Sequence, residues 1–380
     1  MNIINTGERV LEKGKAGGNS MKDAGCEVPE EHGGNIYKVS EELAVPEERL
    51  IDFSASINPL GISSRVENAI TGNLKALVHY PDPDTKKLRK AVSSHHNIDA
   101  ETVLCGNGST ELIYLLPRAL RPQRVLVMAP TFSEYERACQ LSNRAGVKRY
   151  ELKRENDFEL DIDSFISALE GCDMAFLCNP NNPTGSLTGR DEVLKIAGAA
   201  RTAGCVLVVD EAFVDFTPDE SVVHAVQDNR YLAVVRSMTK FYGLTGLRVG
   251  YGIFHRDLMG TLRKSREPWT VNTLAQKAAV AALEDKAFAD ETLRMIKREK
   301  MFMENTFREL GITFFPSSAN YYLLNIENGS DIVSHLRKKG ILVRSCSNFA
   351  GLDGSYIRVA VKSHEHNKTL LGELSALCRA

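Results

Sequence analysis

The sequence predicts an α/β fold, with a large domain built on a mostly parallel sheet and a smaller α+β domain towards the C-terminus. Three observations support this prediction. From Leu50 onward, short apolar runs alternate with helix-like stretches, which is the pattern of a parallel sheet wrapped by helices. The runs lack strict polar alternation, so their strands are expected to be buried on both faces. The chain has 380 residues, more than a single core normally holds, which indicates a second domain.

The order of the elements follows from the positions of these runs. Strands of the large domain are expected at 125–128, 174–178, 206–209, 232–235 and 249–253. A long helical pattern over 264–309 is expected to bridge into the second domain. That domain has expected strands at 321–326, 341–344 and 356–361, and a helix at 332–339 that ends at Gly340. The polar residues 1–31 are expected to form a mobile N-terminal extension.

Composition argues against several classes of protein. The formal net charge is -2, so no overall positive field favours nucleic acid or an anionic membrane as a partner. The apolar runs are too short to span a bilayer and no signal core follows Met1, so a cytoplasmic location is expected. The eight cysteines are scattered without a C-x-x-C pair and are expected to be reduced thiols. The pairs His95/His96 and His364/His366 are expected at the surface, and no metal site is expected.

The segment Ser237-Met-Thr-Lys240 follows an expected strand and is itself followed by Arg248. A lysine that forms a Schiff base must lose its proton, and neighbouring cations and partial burial lower its pKa towards neutrality. The hydroxyls of Ser237 and Thr239, together with Arg248, suit a phosphate group. The alternative is a solvated loop lysine. Considered with the segments described next, Lys240 is the predicted cofactor-holding lysine.

Asp210 begins the segment Asp210-Glu-Ala-Phe213 at the carboxyl end of an expected strand, where open α/β sheets bind their ligands. A carboxylate there can keep a pyridine nitrogen protonated, and that charge makes the ring an electron sink for a carbanion. The alternative for Asp210 is the N-cap of a helix that follows the strand.

Two further segments carry donors at strand ends. Gly106-Asn-Gly-Ser-Thr110 precedes an apolar helix, and a helix N-terminus of this kind binds anions, although a simple tight turn would have the same pattern. Asn179-Pro-Asn-Asn-Pro-Thr-Gly185 is a proline-stiffened loop whose Asn182 can donate to a ring hydroxyl. A stiff surface turn is the alternative for this loop.

These four segments, with Arg248, resemble in order and spacing the fold type I pyridoxal-phosphate enzymes, the aspartate aminotransferase superfamily, over roughly residues 32–377. The resemblance implies a mostly parallel seven-stranded sheet in a large cofactor-binding domain (80–275). It also implies an N-terminal arm that contributes to the small domain (32–79) and a small C-terminal domain (276–380). Lys240 is then the Schiff-base lysine, Asp210 the partner of the pyridine nitrogen and Asn182 the contact of the ring's 3-oxygen.

The same resemblance implies the remaining cofactor contacts. Phe132 stacks on the ring and Phe213 lies beside it. The cofactor phosphate is held by Gly108, Ser109, Thr110, Ser237, Thr239 and Arg248. Tyr80 is expected to reach the phosphate of a neighbouring subunit's cofactor, so a homodimer with shared sites is expected. Phe213 stands where many aminotransferases have tyrosine, which removes a hydrogen bond to the 3-oxygen and argues against a plain aminotransferase.

Four short segments resemble a particular branch of this superfamily, the decarboxylases of L-threonine O-3-phosphate in cobalamin biosynthesis. They are 32–35, 52–61, 268–272 and 341–348. Ser56 departs from the asparagine that this branch often shows. The implied substrate residues are His32, Gly33, Gly34, Asn35, Ile57, Asn58, Asn182 and Arg344 at the phosphate and carboxylate, and Arg358 at the α-carboxylate.

Physical reasoning supports part of this assignment. The His-Gly-Gly stretch offers an imidazole and exposed backbone donors for a phosphate, unless His32 is only a flexible-terminus residue. Arg344 and Arg358 lie on strand-like segments and can converge on one dianionic substrate, unless each pairs with a surface carboxylate. The expected reaction is loss of carbon dioxide from the substrate. A histidinol-phosphate aminotransferase or a non-catalytic cofactor-binding regulator would be the alternatives, and serine phosphate remains open as a substrate.

Overall fold

The computed structural model describes residues 32–378 apart from residue 144. The expected mobile extension at 1–31, with Cys26, lies outside the described residues. The helices are α1 (Ile36–Leu43), α2 (Ser64–Thr71), α3 (Lys86–His96), α4 (Gly108–Leu120), α5 (Glu134–Asn143), α6 (Ile162–Ala168), α7 (Arg190–Ala203), α8 (Arg256–Lys264), α9 (Thr273–Leu283), α10 (Lys286–Glu309), α11 (Gly329–Lys338) and α12 (His364–Cys378).

The strands form one large sheet and two small ones. They are β1 (Ile51–Asp52), β2 (Val103–Gly106), β3 (Arg124–Ala129), β4 (Gly146–Glu151), β5 (Met174–Cys178), β6 (Val206–Asp210), β7 (Leu232–Ser237), β8 (Gly250–Phe254), β9 (Thr313–Phe314), β10 (Tyr321–Asn325), β11 (Ile341–Leu342), β12 (Arg344–Ser345) and β13 (Tyr356–Ala360). The large sheet has the order β2-β8-β7-β6-β5-β3-β4, and β8 runs antiparallel to both of its neighbours. This confirms the predicted seven-stranded, mostly parallel sheet.

The central strands carry apolar residues on both faces because helices cover both sides of the sheet. Strands β5 and β7 are buried along their whole length, and β6 is buried except at its first residue. All five predicted strands of the large domain are present, with ends shifted by two residues at most. The edge strand β4 was not predicted, because its exposed, charged residues lack an apolar run.

The C-terminal part has its own small sheets. Strands β12-β13-β10-β9 form a four-stranded antiparallel sheet, and β11 pairs in parallel with β1 from the other end of the described chain. A second apolar cluster lies here and includes Phe53, Phe307, Tyr322 and Ile357, which are fully buried. The predicted strand 341–344 is therefore wrong as one element, because its two halves pair with different partners.

Two other predictions need correction. The helical pattern at 264–309 is broken between Lys264 and Thr273, where Trp269 adopts a left-handed φ of 61°, and again after Leu283. His96 is not a surface residue, since it is half-buried and its ring bonds to the Tyr251 hydroxyl at 2.8 Å, whereas the neighbouring His95 is exposed as expected. Burial lowers the pKa of His96 to about 2. Within the part of the chain that the structure describes, no helix combines the length and apolarity needed to span a bilayer.

Candidate active site

A cavity of about 350 Å³ opens where strands β5, β6 and β7 end. The carboxyl ends of neighbouring parallel strands meet at one edge of a sheet, so Cys178, Asp210 and Ser237 arrive there together. The structure brings most of the predicted site residues to this cavity. Its walls include His32, Gly33, Ser109, Thr110, Phe132, Asn182, Asp210, Phe213, Ser237, Thr239, Lys240, Arg248, Arg344 and Arg358.

Lys240 lies half-buried in the cavity wall, three residues after the end of β7. Burial, together with the positive charges of Arg358 and Arg248, lowers its pKa to about 8. An amine with this pKa loses its proton near neutral pH, as a Schiff-base lysine must. The Ser237 and Thr239 hydroxyls lie 2.7 Å apart in the same turn. The alternative of a solvated lysine is excluded by this placement.

Asp210 is a buried carboxylate with two protein donors. The Ala212 amide donates to Oδ1 at 3.0 Å and the Tyr135 hydroxyl donates to Oδ2 at 2.7 Å. Burial raises the pKa of Asp210 to about 6 despite these hydrogen bonds. A cationic N–H in the cavity would supply the missing counter-charge, so Asp210 fits a pyridinium nitrogen. No α-helix begins at Asp210, which excludes the N-cap alternative.

A phosphate cradle lies between the start of α4 and Arg248. Gly108 opens the helix with a φ of +77°, and a Cβ there would lie 2.7 Å from the Arg248 guanidinium. The glycine therefore lets the guanidinium approach the helix N-terminus, where Ser109 and Thr110 occupy the first turn. Arg248 donates to the Thr245 carbonyl at 3.1 Å. These groups fit the phosphate of pyridoxal phosphate.

Asn182 has its amide orientation fixed by Arg358. A guanidinium can only donate, so its contact with Asn182 identifies Oδ1 as the acceptor and leaves Nδ2 as a donor for a ring oxygen. The neighbouring Asn181 is buried and bonds to Thr131 at 2.7 Å and to the Pro130 carbonyl at 3.0 Å. The 179–185 loop is therefore tied into the interior and is not a surface turn.

Arg358 is positioned for an anion. It is 8% exposed, and it donates to the Ser54 carbonyl at 2.8 Å. Its Nε has no hydrogen-bond partner within residues 32–378, and neither has the buried Ser56 hydroxyl on the cavity wall. Two unpaired buried donors in one cavity fit a carboxylate, since unpaired buried polar groups are costly. Arg358 also lies 5.1 Å above the Tyr321 ring.

The cavity wall also holds the remaining substrate candidates, His32, Gly33 and Arg344. The His32 ring lies 5.8 Å from the Phe132 ring, and its Nε2 lies 2.9 Å from the Glu134 carboxylate. Gly33 passes so close to the Ser54 backbone that a Cβ would meet its carbonyl oxygen at 2.4 Å. Arg344 contacts the Phe349 ring and lies on the cavity wall.

Several predicted residues do not line this cavity. The side chain of Asn35 caps helix α1, and Gly34 donates its amide to Ser54 instead. The buried side-chain amide of Asn58 donates to the Phe241 carbonyl and the Thr292 hydroxyl, and its backbone N–H donates to the Lys240 carbonyl. Asn58 therefore has a structural role in place of its predicted substrate contact. Ile57 lies outside the cavity wall as well.

Tyr80 lies away from this cavity and is 82% exposed, with its ring 5.0 Å from that of Trp269. Its predicted contact is with another subunit's cofactor. Phe213 is buried edge-on against Tyr321, whose hydroxyl donates to the Asn181 carbonyl at 2.7 Å.

Tyr135 and Glu134 were not predicted from the sequence. Both follow Phe132 within three residues and reach the site from the start of α5. The one sequence signal that could have indicated Tyr135 is its position as an aromatic residue shortly after a strand that ends at the site.

Comparison with known proteins places the chain among related enzymes. A family model described as aminotransferase class I and II matches residues 48–374. The chain is 39% identical over 348 residues to the threonine-phosphate decarboxylase of Salmonella typhimurium, covering 90% of this chain and 95% of that one. It is 32% identical to an adenosylcobalamin biosynthesis bifunctional protein of Leptospira interrogans, covering 91% of this chain and 41% of that protein.

Solved structures agree with the sequence relatives. The histidinol-phosphate aminotransferase of Clostridium acetobutylicum superposes with a TM-score of 0.82 at 30% identity, over 87% of this chain and 99% of that one. The L-threonine-O-3-phosphate decarboxylase of Porphyromonas gingivalis gives a TM-score of 0.77 at 29% identity, over 87% of this chain and 100% of that one. The resemblance inferred from the sequence motifs is confirmed.

Proposed function

This chain belongs to the class I and II aminotransferase family, and on that premise we propose that it is a pyridoxal-phosphate enzyme that decarboxylates L-threonine O-3-phosphate. The products are carbon dioxide and (R)-1-amino-2-propanol O-2-phosphate, which serves as the linker of the cobalamin nucleotide loop. The relatives named as threonine-phosphate decarboxylase and as an adenosylcobalamin biosynthesis protein support this assignment.

The observation that carries the proposal is the anion site at Arg358, in the same cavity as Lys240. Arg358 and Ser56 offer unpaired buried donors to a carboxylate, and Arg358 is the strongest charged influence on Lys240. A carboxylate bound there is held beside the amine that anchors the cofactor. An enzyme that breaks the bond to this carboxylate requires it to be fixed in this way.

The residues around the cofactor have separable duties. Lys240 would anchor the cofactor, and its amine, when free, would be placed to carry the proton that Cα takes up. Asp210 holds the ring nitrogen protonated, and Tyr135 keeps that carboxylate in place. Gly108 and Arg248 bind the cofactor phosphate. Pyridoxal phosphate, when bound, supplies the protonated ring that accepts the electron pair left when the carboxylate departs.

The substrate phosphate is assigned to the cavity mouth. His32, Gly33 and Arg344 all line the cavity, so a phosphate there can meet both cationic and backbone donors. Together with Arg358, these groups make the site suitable for a substrate that carries both a carboxylate and a phosphate. Phosphothreonine and phosphoserine both meet that requirement, and a methyl group changes affinity only by about 1–3 kcal/mol.

The purified holoenzyme tests this function directly. It is expected to release carbon dioxide from O-phospho-L-threonine without any 2-oxo acid, and the rate is expected to exceed that with O-phospho-L-serine. Strict dependence on 2-oxoglutarate, with histidinol phosphate as the preferred amino donor, would instead establish an aminotransferase. Binding of the cofactor without turnover of any of these substrates would identify a non-catalytic relative.

We also propose a cytoplasmic homodimer with shared active sites. Exposed apolar side chains gather at Leu77, Val78, Tyr80 and Trp269, which supports a subunit interface at this surface. In the dimer, Tyr80 is the residue that reaches the partner subunit's cofactor phosphate. Sedimentation analysis is expected to show that the wild type and Tyr80→Ala are both dimers. A cofactor titration is expected to show that the variant binds the cofactor less tightly.

A further inference from the structure

Glu134 is a buried carboxylate beside the mouth of the active-site cavity. It is 7% exposed, at the start of α5. One oxygen lies 2.9 Å from Nε2 of His32 and 3.6 Å from Arg137, and the other accepts from the Tyr114 hydroxyl. The hydrogen bond from His32, above all, lowers the pKa of Glu134, so the carboxylate is ionised at neutral pH.

An ionised carboxylate can only accept, so Nε2 of His32 must carry a proton. The other ring nitrogen, Nδ1, makes no hydrogen bond to any residue in the described range 32–378. In a neutral ring Nδ1 is therefore a bare acceptor, which repels a phosphate dianion. In a protonated ring Nδ1 becomes a donor, and the imidazolium lies between two anions, Glu134 and the phosphate.

We propose that Glu134 is a positioning residue that makes His32 recognise the substrate phosphate only as a cation, so that phosphate binding takes up a proton. The inference rests on the proposed function, because it assigns the substrate phosphate to the cavity mouth. The charged groups that face His32 there are Glu134 and Arg137 from α5, with Tyr114 from α4 and Arg344 on the cavity wall.

The conservative variant Glu134→Gln tests the role of the carboxylate. A glutamine amide can donate to Nε2, which leaves the proton of a neutral ring on Nδ1, ready to donate to a phosphate dianion. The expected result is that inorganic phosphate binds wild-type holoenzyme with net uptake of protons, and binds the variant with almost none. Titration calorimetry in two buffers of different ionisation enthalpy measures this number.

Kinetics give a second readout. For the wild type, the KM for O-phosphothreonine is expected to rise with increasing pH, while the KM of Glu134→Gln stays nearly flat and kcat is retained. Glu136→Gln is the matched control, since Glu136 lies on the same helix and pairs with Arg149 instead. It is expected to behave as the wild type.

Three outcomes would overturn the proposal: no proton uptake by the wild type, unchanged uptake in Glu134→Gln, or a loss of kcat equal for phosphothreonine and threonine. If Glu134→Gln does not fold, His32→Asn provides the second test and is expected to bind phosphate weakly and without proton uptake. Failure of the proposed function is distinguished by the carbon dioxide assay, because proton-linked phosphate binding does not require turnover.

Discussion

Replacing Asp210 with asparagine is expected to stabilise the protein without its cofactor while abolishing its chemistry. Burial raises the pKa of Asp210 from 3.8 to about 6 in the folded chain. In the unfolded chain Asp210 has the lower pKa, so its contribution to folding stability is fully present only at pH values below that pKa. Its contribution is lost as the pH rises through the folded value.

The size of the effect follows from these two values. At about 1.4 kcal/mol per pKa unit, the raised pKa of Asp210 costs the cofactor-free protein about 3 kcal/mol at pH 8, and roughly half of that at pH 5. Asparagine has nearly the same shape and keeps the bond from Ala212, but the Tyr135 hydroxyl loses its charged acceptor, which offsets about 1 kcal/mol. A net gain of about 2 kcal/mol at pH 8 is expected.

Urea unfolding of the apoproteins at several pH values measures this gain. The difference between Asp210→Asn and wild type is expected to narrow as the pH falls towards 5. The cofactor is expected to stabilise the wild type far more than the variant, because asparagine cannot balance a pyridinium charge. An apo variant that is less stable than wild type at pH 8, or an advantage independent of pH, would refute the reasoning.

Three other perturbations probe the same cavity. The rate at which pyridoxal phosphate reacts with apoprotein is expected to increase as the pH rises through about 8 and then to level off, because Lys240 reacts as the neutral amine. Stopped-flow absorbance measures this rate. A rate independent of pH would contradict the lowered pKa of Lys240. Gly108→Ala is expected to weaken cofactor binding about tenfold or more, since its Cβ would collide with Arg248. Equilibrium dialysis measures this affinity, and an unchanged value would contradict the role of Gly108. Arg358→Lys is expected to lower kcat/KM about 10- to 100-fold in the carbon dioxide assay, because one ammonium nitrogen cannot replace the separate guanidinium nitrogens that face Asn182, the Ser54 carbonyl and the carboxylate. A smaller loss than for Arg344→Lys would argue against this role of Arg358.

Local patterns predicted the sheet and the cofactor residues well. Strand β5 was predicted at its full extent, because a buried parallel strand is a continuous apolar run with clear ends. Asp210 is the last residue of one such strand and Lys240 lies three residues after another, so the fold carries both to the same edge. The helical pattern at 264–309 failed because composition alone did not reveal the left-handed Trp269 in its midst.

Contacts between distant parts of the sequence were the least predictable. Tyr135 meets Asp210 across 75 positions, and Glu134 meets His32 across 102. Asn58 was expected at the substrate because of its motif, yet its amide is used to join Phe241 to Thr292. Such partners depend on how elements pack, and neither periodicity nor motif spacing specifies that packing.

The parallel pairing of β1 with β11 has a consequence for how the protein is made. Ile51 pairs with Ile341, so the first strand of the described chain stays without its partner until almost the whole chain has left the ribosome. The apolar Phe53, fully buried in the finished protein, has no place in the C-terminal cluster during that time. Chain synthesis therefore delivers the cofactor residues, which end at Arg248, before Arg344 and Arg358, so the nascent protein gains its cofactor residues before its substrate site is complete.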